Sequence, residues 1–134
     1  MGAELLAGAL RRSGHFAGVA VATGAADAKA LLANQPFDVL LVNSKFEGDE
    51  GGLKLARESC ELHPRAKVVM LLESSERESV VQAFRAGCQG VFCHTQSVKE
   101  LTKCLVCVHR GQIWATSREL NYVVEALREP GLFG

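Results

Sequence analysis

The stretch Phe37 to Gly52, FDVLLVNSKFEGDEGG, decides the fold. Four aliphatic residues, Val39 to Val42, follow Asp38, and the run breaks at Asn43-Ser44. So short an apolar run, with Pro36 before it and glycines behind it, predicts a strand buried on both faces. Open α/β sheets place their chemistry at the carboxyl ends of such strands. That end carries Asn43, which becomes the first candidate site residue.

Before this stretch the pattern predicts a helix over 3–13 closed by Gly14, and a short strand over 19–23 (VAVAT). A helix over 25–34 stops before Gln35-Pro36. Beyond the central strand, 48–52 reads as a glycine-rich acidic loop and 53–62 as a helix. KVVMLL, 67–72, is a second fully apolar strand. Ser75 and Glu78 form a predicted capping box, opening a helix that turns Val80, Val81 and Phe84 inward and ends at Gly87. GVFC, 90–93, is a further strand. Ser97 and Glu100 cap a helix burying Val98, Leu101, Leu105 and Val108. QIWA, 112–115, is an extended connector. Thr116 and Glu119 then cap an amphipathic tail helix carrying Leu120, Val123, Val124 and Leu127.

Strict alternation of apolar strands and helices predicts a parallel sheet covered by helices on both faces. The alternation begins on a helix. In the flavodoxin-like order 2-1-3-4-5 the first strand lies in the middle of the sheet. Without it, the strands at Val19 and Asp38 flank an empty slot with unpaired backbone groups. The expectation is that Met1 is not the natural start of the fold, or that another segment fills the gap.

A chain of 134 residues reads as one domain with a sizeable core. Its formal net charge is zero, so nothing in the balance asks for nucleic acid or an anionic membrane as direct partner. The apolar runs are too short for a membrane span, and the start lacks a signal-peptide pattern. Five cysteines without framework spacing predict free, mostly buried thiols in a reducing cytoplasm.

The segments FDVLLVN, GDEGG, KVVMLLESSERESVVQAFRAGCQGVFCHT and GQIWAT resemble the receiver domain of two-component response regulators, and within it the LuxR/NarL type. The phrases at Ala83 to Val91 and Gly111 to Trp114 carry the subgroup likeness. The resemblance implies the five-stranded order above and a phosphorylation site at the strand ends. In that family two acidic residues after the first strand and an aspartate ending the third bind magnesium, and that aspartate accepts the phosphoryl group. A hydroxyl residue, a switch aromatic and a lysine complete the site. Magnesium needs carboxylates, the acceptor must be a nucleophile, and the lysine offsets the new charge.

The chain departs from this pattern at each position. The acidic pair would precede Met1. Asn43 stands at the acceptor, Leu72 at the hydroxyl, Val91 at the switch aromatic (with Phe92 next) and His94 at the lysine. The resemblance therefore implies a degenerate receiver with no catalytic residue, no cofactor and no standing metal site. Asn43 either mimics a signalling state or caps the strand end by bonding its own loop. Asp49 and Glu50 are weak candidates for a cation or simply solvated. Cys104-x-x-Cys107 with His109, and Cys93-His94, suggest zinc or a redox sensor on one reading and buried thiols on the other.

The expectation is a doubly wound α/β receiver-like domain over 1–115, with a linker helix and tail over 116–134. The linker helix could instead be a dimer seam or fold back on the core. The function expected is a phosphorylation-independent regulatory module of a LuxR-type transcription regulator. It would homodimerise through its helices and reach DNA only through a helix-turn-helix outside this chain. Two alternatives stand beside it. One is a receiver with an unusual acceptor, Asp49 or Ser44; the other is a ligand- or partner-binding module with a pocket at Asn43, Leu72 and His94.

Overall fold

Three strands form one parallel sheet in the order β1-β2-β3: β1 (Val39–Asn43), β2 (Lys67–Leu72) and β3 (Gly90–Cys93). The computed structural model describes residues 3–48, 50–93 and 96–129. Around the sheet lie α1 (Ala3–Arg12), α2 (Ala25–Asn34), α3 (Gly51–Leu62), α4 (Arg77–Arg85), α5 (Val98–His109) and α6 (Ser117–Arg128).

Side chains alternate across a strand, so each strand feeds two cores. Val42, Val68, Met70, Leu72 and Val91 face one cluster, shared with Ala28 and Leu32 of α2, Leu55 and Ala56 of α3, and Val80 and Ala83 of α4. Val69 and Phe92 face the other, with Leu10 of α1 and Leu101, Cys104, Leu105 and Val108 of α5. β2 is the middle strand, and Val68, Val69 and Met70 are completely buried. The doubly wound α/β layering expected from the alternation is thus present.

Three local expectations need correction. First, residues 19–23 form no strand. A strand is held by ladder bonds to a neighbour, and β1 pairs only with β2 among the described residues. The segment is held instead by Arg11, whose Nη2 donates to the Val19 carbonyl at 2.8 Å, and by Asp27, which accepts from Thr23 N–H at 3.1 Å. Second, α3 starts at Gly51, so both glycines read as loop lie in its first turn. Third, Ser75 does not cap α4. Glu76 is the N-cap without a side-chain bond, and the Ser75 hydroxyl donates to Glu119 at 2.6 Å. The Ser97 oxygen accepts from Glu100 N–H, and the Thr116–Glu119 box is complete.

The tail helix α6 runs alongside α4. It packs back on α4 with Glu119 and Ala126 buried and with Tyr122 and Val123 against the first core. Leu120, Val124 and Leu127 point to solvent. The capping box turns Glu119 inward toward Ser75, and the rest of the helix follows its phase.

The two glycines of α3 are there for space. A Cβ on Gly52 would overlap the Asn43 carbonyl oxygen, and one on Gly51 the Phe46 carbonyl oxygen. Gly52→Ala should therefore lower stability by about 1–3 kcal/mol through overpacking, although alanine favours a helix interior by roughly 0.5–1 kcal/mol. Urea unfolding reads the difference; an unchanged or raised stability contradicts the close approach.

Candidate functional site at the carboxyl end of the sheet

β1 delivers Asn43 to the strand-end surface, where the next residues turn back on it. Its Oδ1 accepts the Lys45 N–H at 2.8 Å, and its carbonyl accepts the Phe46 N–H at 3.0 Å. This is an Asx-type turn, in which the side chain substitutes for a backbone acceptor. Ser44 N–H donates to the Leu71 carbonyl at 3.0 Å and extends the ladder by one bond. Glu47 (φ 56°) and Gly48 (φ 100°) then take left-handed conformations that swing the chain toward α3. The acceptor oxygen of Asn43 is thus engaged by its own loop.

Register decides what stands beside Asn43. Asn43 pairs with Leu71, and Leu71 with Phe92, so these three share the face toward α1 and α5. Leu72 and Val91 turn to the opposite face, each 2% exposed among the α2–α3–α4 core. The sequence-predicted pair Asn43 and Leu72 is therefore not brought together; Leu71 is the neighbour. His94 and Asp49 lie outside the described residues. Glu50 is the exposed N-cap of α3, without a side-chain cap bond.

A cavity of about 240 Å³ opens at this end. Its walls are Leu6, Leu71, Phe92, Val98 and Leu101, and its polar groups are Asn43, Glu73, Gln96 and Ser97. The expected pocket at Asn43, Leu72 and His94 is corrected accordingly: Asn43 lines it, and Leu72 is turned into the core.

A second cluster was not foreseen. Glu119 is 5% exposed, and it accepts the Ser75 hydroxyl at 2.6 Å and the Thr116 N–H at 2.8 Å. It ties the start of α6 to the loop just beyond β2. The capping pattern pointed to Glu119, but its long-range partner left no local signal. Cys93, at the end of β3, lies within its field: burial raises the Cys93 thiol above its ordinary value, and the charge of Glu119 raises it further. Negative charge and burial both disfavour a thiolate.

Cys88 and Cys104 are also held as thiols. Burial first, then the neighbouring Cys60, pushes Cys88 up to about 12; burial, then Cys107, does the same for Cys104. Cys104 and Cys107 lie on one helix, α5. Among the described residues no group of three or more His, Cys, Asp and Glu gathers around a common point. No helix among them is long and apolar enough to cross a membrane.

A folded-state value raised above the ordinary 9.0 stabilises the fold below that pH and ceases to do so as pH rises through about 12. Urea titrations across this window should give falling stability. Native alkylation of Cys88 and Cys104 should be far slower than that of a free thiol at neutral pH and should accelerate as pH rises. A flat stability profile with fast neutral labelling contradicts the assignment.

The fold matches a CheY-like response-regulator receiver domain protein from Methanospirillum hungatei JF-1 at TM-score 0.71 and 21% identity, covering 81% of this chain and 85% of that one. It also matches a LuxR-family two-component response regulator from Aurantimonas sp. SI85-9A1 at TM-score 0.71 and 19% identity, covering 91% and 89%. A LuxR-family DNA-binding response regulator from Silicibacter pomeroyi matches at TM-score 0.66 and 22% identity, covering 85% and 89%. No protein-family model matches the chain, and no curated protein matches it in sequence. The chain has the α/β fold of response-regulator receiver domains, LuxR-family ones among them.

Proposed function

We propose that this chain is a receiver domain that works without aspartyl phosphorylation, as the regulatory and self-association module of a LuxR-type transcription regulator in the cytoplasm. The observation that carries the proposal is the state of Asn43. A neutral amide stands at the strand end, and its oxygen accepts the Lys45 N–H of its own loop. An amide is a poor nucleophile toward phosphorus and a weak ligand for magnesium. Leu72 offers no hydroxyl, and its side chain lies in the core. DNA would be reached through a helix-turn-helix outside these residues. The regulatory output would then come from helices meeting a second copy rather than from a phosphoryl-driven change.

A second reading has its own support in the cavity beside Asn43. Its apolar walls with four convergent polar groups suit a small amphipathic ligand better than a phosphoryl group. Native mass spectrometry retaining a small molecule, lost on unfolding, would favour it.

Incubation with acetyl phosphate and magnesium, followed by intact-mass measurement, tests the main reading. The expected result is no mass gain. A stable gain of one phosphoryl group, mapped by fragmentation to Asp49 or Ser44, overturns it in favour of a receiver with an unusual acceptor.

A further inference from the structure

We infer that the cavity at the carboxyl end of the sheet takes a small amphipathic amine, with its ammonium on Glu73 and its hydrocarbon body between α1 and α5. This inference rests on the reading of that cavity as a small-molecule site, and it names the ligand. The apolar half of the site comes from the second core. Phe92 and Leu101 belong to that core and are each 2% exposed. Leu6, Leu71 and Val98 are only half-buried, so α1, β2 and α5 leave part of each side chain against the opening. At about 240 Å³ the space is smaller than most ligand cavities and suits one ring with a short arm.

The polar half fixes the sign of the ligand's charge. The Glu73 carboxylate stands exposed at the rim, and among the described residues it has neither a hydrogen bond nor an ion pair. No Lys or Arg lines the cavity among them. One influence runs the other way: α5 begins beside the cavity, just after Ser97. A helix start carries about half a positive charge. Here it is already drawn on by the Ser97 oxygen, which accepts Glu100 N–H at 3.2 Å, and by Glu100 itself in the first turn. The whole charge of a carboxylate outweighs that remainder. The site therefore repels an anion, and a cationic head is its complement.

The remaining polar groups agree with that sign. The Asn43 and Ser97 side-chain oxygens already accept the N–H groups of Lys45 and Glu100. The acceptors left to hold an ammonium are the Glu73 carboxylate and the Gln96 amide oxygen. A bond from an ammonium to a carboxylate is charge-assisted, and it is stronger than one from a neutral hydroxyl of the same shape.

Three probes that share a ring and a short arm but differ in the head test this: phenethylamine, phenethyl alcohol and phenylacetate. Each is titrated into the isotope-labelled chain at low salt and followed by the backbone amide shifts. The expected result is saturable shifting at Leu71, Phe92 and Val98 by the amine, about tenfold tighter than by the alcohol, with phenylacetate weakest. In Glu73→Gln, whose exposed side chain leaves the melting temperature as it was, the amine loses that advantage and the alcohol binds as before. Alcohol or phenylacetate binding as tightly as the amine, or an advantage that survives Glu73→Gln, overturns the amine assignment and leaves the cavity a ligand site. If none of the three shifts these residues at millimolar concentration, the reading of the cavity as a small-molecule site falls together with the inference.

Discussion

The alternation of side chains along three parallel strands in fixed register is the constraint on which the rest depends. A strand covered by helices on both faces must send every second side chain each way. β2 meets this demand with three completely buried residues, Val68, Val69 and Met70, and so fixes β1 and β3 beside it. Once the register is set at Asn43–Leu71–Phe92, Leu72 and Val91 are committed to the opposite core. The composition of the strand-end surface follows: the Asn43 amide, an apolar floor, and polar groups from the loops after β2 and β3.

Close approach then locks that surface. The turn after β1 is folded so tightly on α3 that two glycines are needed where backbone meets backbone. The same turn engages the Asn43 oxygen. Beyond the end of β2, Glu119 reaches from α6 to Ser75, so the tail helix is coupled to the strand ends. One end of the sheet thus carries a committed amide, and its neighbouring loop carries the anchor of the outermost helix.

Much of this was legible in the sequence where the deciding forces are local. KVVMLL and GVFC are apolar runs between breakers, and both became strands with the expected bounds. AADAKALLAN, ended by Gln35-Pro36, became α2 as read. Non-local forces account for the rest. VAVAT has the composition of a strand but no neighbour to pair with among the described residues. Ser75 matches a capping box, yet a carboxylate 44 residues away holds its hydroxyl. The aliphatic residues of α6 marked it as amphipathic, and the capping geometry at Glu119 sets which face turns inward. Leu72 occupies the right place along the chain and the wrong face of the sheet, which only the pairing register reveals.

The central claim is that the strand-end site is silent toward phosphoryl donors and that association of copies carries the output. Sedimentation equilibrium over a range of protein concentrations, with and without acetyl phosphate and magnesium, tests both parts at once. The account predicts one monomer–dimer equilibrium, identical in the two conditions. An equilibrium that shifts when the phosphoryl donor is present, or a monomer at every concentration, would contradict it.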